Sequence, residues 1–469
     1  MENGASSNSS AEVEQTNLAS SNAEKDSTKI EIPEFKNWSM CSIFRVPGKL
    51  RDLKLTTYTP HLVSIGPFHH GREELKGMES HKQKYYFEEF CQRSSKSTDN
   101  LRSFISEKSH RISACYAGAV QFDREAFEKM ILIDACFIFE LFSRFSEATS
   151  RVKDYILTTP WLFNEISMDL IMLENQIPFP FLEDLYKFSN ARLDNYPLLA
   201  SNSNSRGHAE HPYQDQKQPS TVFVNLAINF FGVPPGTLDM NHKIRHFTDL
   251  IRQSRLPLIM SKSESDKKYI AKQNHLYSAK KLEKAGVYFA PASTKKGSIM
   301  SSLGKVQVSE RRPLCKSIPF LRSLQLELPL FSIDDNTECI MRNIMALEQC
   351  LYPNEEYICS HVYLMCELID TEEDLDFLVE KKIIENSLGN DQEATDLINE
   401  LCQNIVMVRF IYGDECKQLN NFYEKWYNKA KTTLKRVYFN DLWTASSTIV
   451  GIFVLVFTTV ATLKSLFLF

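Results

Sequence analysis

From Leu442 to Leu463 the chain runs 22 residues without a charge (LWTASSTIVGIFVLVFTTVATL), about 33 Å of helix at 1.5 Å per residue. That length matches a bilayer core, and a buried core helix is the competing reading. Lys425, Lys429, Lys431, Lys435 and Arg436 precede the run, Trp443 sits where an interfacial aromatic would, and only Lys464 follows among the last six residues. The positive-inside rule then places everything before the run in the cytosol. With six residues after Leu463, such an anchor would still be inside the ribosome when translation ends, so insertion after synthesis is expected. Ser447 and Gly451 form a small-xxx-small pair, the spacing that lets two such helices pack closely, and a homo-oligomer enters as an expectation.

The rest of the 469 residues has the composition of a folded body, with 43% hydrophobic and 24% charged residues. A net charge of −5 and a pI near 6.2 argue against a broad nucleic-acid surface, which needs clustered Lys and Arg. The eleven cysteines are dispersed, odd in number and contain no C-x-x-C pair. They read as free thiols in a reducing compartment, with Cys136 serving as a small core hydrophobe. Residues 1–34 are rich in Ser, Asn and Glu, lack the apolar run of a signal peptide, and read as a disordered tail.

These features divide the chain into the 1–34 tail, a body over 35–441, a transmembrane helix over 442–463 and a short tail over 464–469. Polar insertions fall near 190–220 and 291–313, and 261–274 is a further polar run. The fold class is mainly α, a large helical body with small β elements. In Arg124 to Phe145 apolar residues cover nearly the whole circumference, which predicts a central buried helix with Asp123 as N-cap. A second helix is expected from Pro160, with Thr159 as N-cap, and must yield near Pro178 at a turn over Gln176–Pro178. Further helices are expected over Glu79–Arg93, Thr337–Leu351, Tyr357–Glu367 and Ala394–Val408, and short strands over Ile43–Val46 and Leu326–Ile333.

Few residues suggest chemistry. His69, His70, Glu79 and His81 could supply two imidazoles and a carboxylate to an open metal site, but adjacent histidines diverge in regular structure. The alternative is a turn docked on the first helix with its histidines satisfied by local partners. His242 and His246, four apart, would share a helical face, although Lys243, Arg245 and Arg252 make that face read as basic and solvated. Asp134, Glu140 and Asp169 lie in apolar helices, where an unpaired carboxylate is costly. Arg45, Arg51 or Arg342 are the expected partners in a register-fixing network, and a shifted-pKa catalytic pair is the competing reading. Glu174-Asn175-Gln176 reads as capping and turn chemistry. No nucleophile elbow, Cys/His/Asn arrangement or P-loop is present, so no catalytic, cofactor-binding or metal-binding residue is assigned.

Many short words in this chain follow one another in a familiar order. They include Ile43-Phe44-Arg45-Val46-Pro47, Leu50-Arg51, Tyr58-Thr59-Pro60, Val63-Ser64-Ile65-Gly66-Pro67-Phe68-His69-His70-Gly71 and Met78-Glu79-Ser80-His81-Lys82. Leu173-Glu174-Asn175-Gln176-Ile177-Pro178-Phe179, Ala285-Gly286-Val287-Tyr288-Phe289, Arg342-Asn343 with Leu347-Glu348-Gln349-Cys350, and Asn386-Ser387-Leu388-Gly389-Asn390-Asp391 continue the series. From about Ile43 through the anchor the chain resembles the plant domain-of-unknown-function 247 family. The resemblance implies a plant protein with a helical body and usually a C-terminal membrane segment. Some relatives are implicated in reproductive recognition and flower-sex control, and no enzymatic activity comes with the family. Phe68 stands where Tyr is usual, and Cys366 replaces an expected acidic residue.

The combined expectation is a membrane-anchored, non-enzymatic plant regulatory or recognition protein, with reproductive development as one setting, acting through contacts with a protein partner. The insertions near 190–220 and 291–313 are its candidate contact loops. The alternative is a metal-dependent hydrolase built on His69, His70, Glu79 and His81.

Overall fold

The computed structural model describes residues 40–118, 122–189, 220–234, 237–238, 242–256, 275–292, 306–311, 323–425, 428 and 442–466. The expected tail over 1–34 and nearly all of the insertion near 190–220 lie outside the described residues, as does the polar run 261–274.

The Arg124–Ser146 helix is the axis of the N-terminal half. Asp123 caps it, its side chain accepting from the Ala126 N–H at 2.9 Å. From Phe127 onward nearly every residue is buried because the helices Thr98–Ser113, Glu88–Arg93 and Ser220–Phe230 pack around it. Aromatic rings fill this core: Phe142 meets Phe223, Phe230, Phe231 and Phe247. A second core occupies the C-terminal half around the helices Thr337–Leu351 and Tyr357–Leu368. Ile228, Phe231 and Leu238 pack against both cores, and a small third cluster joins Val46, Leu50, Tyr58 and Leu173 to Ala346 and Leu347.

The strands are short. Ile43–Phe44 pairs in parallel with Tyr116–Ala117. Leu324–Leu328 is the middle strand of a three-stranded sheet, parallel to Val287–Pro291 and antiparallel to Gln307–Glu310. Phe331–Ile333 pairs in parallel with Ile384–Asn386.

Several sequence expectations shift in register. The strand expected over Leu326–Ile333 is two strands, because Pro329 has no N–H to donate to a ladder. The strand expected over Ile43–Val46 ends at Phe44. Part of the 291–313 insertion is ordered, since Gln307–Glu310 is an edge strand. The Pro160 helix starts as expected, but Thr159 makes no side-chain cap, and the helix ends at Ile171, well before Pro178. The helix expected over Ala394–Val408 is Asp391–Leu401: it starts earlier on the Asn390 cap and stops before Asn404, which has φ +60°. Instead of one helix over Glu79–Arg93 there is an α-turn Lys76–His81, a π-helical segment Lys82–Phe87 and a final α-segment Glu88–Arg93.

The helix Leu442–Leu466 is continuous, and its segment Ser446–Lys464 is long and apolar enough to cross a membrane, with none of it buried against the body. Phe453, Leu455 and Phe457 are among the large apolar side chains it exposes.

Candidate functional site

Between Cys41 and Gly71 the chain forms only a two-residue strand and two four-residue helical turns, yet much of it is buried. Buried backbone N–H groups must find partners, and here side chains from distant helices supply them. Asp169 Oδ1 accepts from the His61 N–H at 2.8 Å, and its Oδ2 accepts from Leu62 and Val63 at 2.7 and 2.8 Å. Asn175 Oδ1 accepts from Ile65 at 2.6 Å, while its Nδ2 donates to Val63 O and Asp169 O. Asp134 Oδ2 accepts from Gly66 at 2.9 Å. Three side chains thus collect five N–H groups over six residues.

The Leu173–Gln176 word continues this seam. Glu174 Oε1 accepts from the Val46 N–H at 2.6 Å and from the Arg51 guanidinium. Gln176 Oε1 accepts from Phe247 N–H at 2.9 Å, and its Nε2 donates to Leu170 O and Met172 O. Consecutive residues therefore tie the N-terminal segment, the end of the Pro160–Ile171 helix and the start of the Phe247–Arg255 helix. The capping reading of Glu174-Asn175-Gln176 has its physical form here, since Asn175 and Gln176 bond the last carbonyls of the Pro160–Ile171 helix, and long-range bonds to the N-terminal segment and to Phe247 are added to it.

The expected acid–base pairing was different. Asp134 is joined by Lys82, whose Nζ lies 2.5 Å from Oδ1 and also donates to Ser64 O at 2.7 Å. Glu140 pairs with Arg144 at 2.8 Å, and Asp169 is held by backbone N–H groups rather than by arginine. Arg51 goes instead to Glu174, Arg342 to Glu338, and Arg45 lies over the Phe68 ring at 4.5 Å. Burial raises the Glu140 carboxyl above its ordinary range despite Arg144 and Arg93. Burial likewise pushes Asp169 up to about 6, opposed by its three N–H donors. Sequence gives Lys82 no role as a partner of Asp134 because it belongs to a polar-looking stretch, and in the fold it opens the π-helical segment and is buried.

The histidine and carboxylate residues of the hydrolase alternative do not gather into one ligand set among the described residues. His69 is buried with Nε2 3.4 Å from Glu174 Oε2. Burial, with Arg72, Arg51 and Arg45 nearby, holds its pKa down at about 3, so the ring is neutral. His70 meets the edge of Phe122, Glu79 pairs with Lys82 at 2.5 Å, and His81 is exposed. Among the described residues no three His, Cys, Asp or Glu side chains are grouped to hold a metal ion. His242 and His246 do not share a helical face: His246 is the buried N-cap of Phe247–Arg255, and His242 lies on the exposed approach to it. Cys366 Sγ contacts Asn399 Oδ1 at 3.4 Å, and every described cysteine is a free thiol.

A concave feature lies beside the seam, a cleft of about 880 Å³ between the two halves. One wall comes from the C-terminal turns of Thr98–Ser113 and from Pro180 and Phe181; the other comes from 242–256, Tyr352 and Tyr357. Arg252, read from sequence as part of a solvated basic face, is buried in its floor. Its Nε donates to Glu348 at 2.9 Å, one terminal nitrogen donates to Glu355 O at 2.6 Å, and the guanidinium lies 3.8 Å from the Tyr352 ring centroid. Sequence alone could not assemble this cleft, because its cations come from segments more than 100 residues apart.

Fold and seam define a mainly helical body, stitched by long-range side-chain-to-backbone bonds and followed by one exposed apolar helix. The model of a plant protein family of unknown function, DUF247, matches residues 43–457, and the chain belongs to that family. It is similar to a UPF0481 protein of Arabidopsis thaliana, 26% identical over 446 residues that cover 89% of this chain and 84% of the relative. It is also similar to a putative UPF0481 protein of the same plant, 24% identical over 475 residues, covering 86% of each. No solved structure matches the chain.

Proposed function

We propose that this chain is a membrane-anchored, non-enzymatic regulatory or recognition protein that presents its body to protein partners on the cytosolic side. The observation that carries the reading is the Ser446–Lys464 segment, apolar, of spanning length and unburied by the body. So large an exposed apolar surface calls for lipid or a partner. The basic residues that precede it support the cytosolic placement. Family membership supports a plant setting, and the resemblance noted from sequence adds reproductive development as one process in which such a protein acts. That His69, His70, Glu79 and His81 form no ligand set among the described residues counts against the hydrolase alternative.

The test is fractionation of the full chain expressed in plant cells, beside a chain truncated before Leu442. The full chain is expected in the membrane pellet after alkaline carbonate extraction and the truncated chain in the supernatant. Release of the full chain by carbonate would reject the anchor.

A further inference from the structure

The cleft between the two halves carries a charge opposite to that of the whole protein. Lys108, Arg111, Lys243, Arg245, Arg252 and Arg409 line it, against the carboxylates of Asp184 and Glu355. The chain as a whole has a net charge of −5, so this excess of cations is local. Lys108 reaches Asp184 at 3.0 Å and Arg252 reaches Glu348. Arg111, Lys243 and Arg245 have no carboxylate partner among the described residues, and Arg245 instead lies 5.1 Å from the Tyr352 ring centroid.

Like charges gathered in a concavity repel unless an anion joins them, and a cleft with low-dielectric walls focuses their field on its interior. The volume is that of a small-molecule site. A nucleic acid would need a long basic stripe, and the cationic lining here is confined to one concavity. Guanidinium groups favour phosphate oxygens because their N–H forks match them in pairs. Arg252 gives the floor rigidity, since both its hydrogen bonds and its stacking on Tyr352 fix it.

We propose that this cleft is a binding site for a small ligand carrying clustered phosphate groups, held by Arg111, Lys243 and Arg245 over the Arg252–Tyr352 floor. The phosphates can belong to a soluble phosphorylated polyol or to the headgroup of a membrane lipid.

The experiment is calorimetric titration of the full chain in neutral detergent with inositol hexakisphosphate. In parallel, sedimentation is measured with phosphatidylcholine vesicles containing 5% phosphatidylinositol 4,5-bisphosphate. The variants are Arg111→Gln, Lys243→Gln and Arg245→Gln, with Lys129→Gln and Lys153→Gln as exposed basic controls outside the cleft. Each cleft substitution is expected to weaken binding about tenfold, as loss of a charge-assisted hydrogen bond does, while the controls bind like the parent. Saturable binding of the soluble phosphate with that pattern supports the site with a soluble ligand; the same pattern in the vesicle arm alone supports it with a lipid headgroup. Absence of binding in both arms, or binding that the triple cleft variant retains, overturns the proposal. All three substituted side chains are exposed or half-buried, and unchanged thermal unfolding of each variant separates lost binding from lost folding.

Discussion

Lys82 Nζ lies 2.5 Å from Asp134 Oδ1, and both side chains are sealed from solvent, at 0% and 1% exposure. Lys82 thereby neutralises Asp134 in the middle of the central helix, and the same carboxylate accepts from the Gly66 N–H. Removing one member of a buried pair strands the other charge, at a cost of roughly 3–5 kcal/mol. Lys82→Met is therefore expected to destabilise the protein by about that amount in urea unfolding. Lys82→Met with Asp134→Leu should recover only part of the loss, because it removes the stranded charge of Asp134 but still leaves the Gly66 N–H, the Ser64 carbonyl and Glu79 without these partners. A double variant worse than the sum of its singles would contradict this account.

Gly66 separates space from conformation. It has φ +73°, and a Cβ built there would lie 2.5 Å from the Gln176 carbonyl oxygen. Gly71 has φ +81° but nothing within 4 Å of a built Cβ. Gly71→Ala should cost only the left-handed penalty of about 1–2 kcal/mol. Gly66→Ala should cost more than twice as much, because the contact is with backbone that the Tyr116 hydroxyl and the seam hold in place. Equal thermal shifts for the two would show that the seam yields freely.

The sequence carried the helical class and the central helix, because a 23-residue segment apolar on most sides has nowhere to go but the core. It also carried the need for partners at Asp134, Glu140 and Asp169, since burial of a carboxylate dictates one. It did not carry the identity of those partners. Asp169 takes backbone N–H groups 106 to 108 residues away, and irregular backbone leaves no periodic mark. Lys82 looks like a surface residue, yet it opens the π-helical segment and is buried. The cleft was illegible for a related reason: Arg111 and Arg245 meet only through the packing of the two halves.

His361 provides a proton count. It is fully buried beside Phe331 and Tyr412, and among the described residues neither ring nitrogen has a hydrogen-bond partner. Burial lowers its pKa to about 3 from 6.5. A depressed folded-state pKa gives stability that is complete above 6.5 and is lost as pH falls toward 3. Over that window the unfolded chain takes up a proton that the folded protein refuses, worth about 1.4 kcal/mol per pH unit. Asp169 acts in the opposite sense between 3.8 and about 6, so the total slope mixes groups. The difference between parent and His361→Leu isolates one. The variant should be at least as stable at pH 5 as the parent, and its urea midpoint should fall less steeply from pH 6.5 to 4. Parallel midpoint curves would mean that His361 is protonated in the fold.

The proposed orientation has native reporters. Asn8-Ser9-Ser10 and Asn37-Trp38-Ser39 both fit the glycosylation acceptor pattern, which is modified only on the luminal side. Lys425, Lys429, Lys431, Lys435 and Arg436 stand within about 20 residues of the apolar helix, the distance over which basic residues set orientation. Both native sites should therefore stay unmodified, and an acceptor placed on a spacer after Phe469 should gain a glycan removable by endoglycosidase H. Reversing the flank should weaken this bias: with Lys429, Lys431, Lys435 and Arg436 changed to Gln, a fraction of chains should acquire glycans at Asn8 or Asn37. Glycans at either position in the unaltered chain would place the body in the lumen and remove the basis for cytosolic partners.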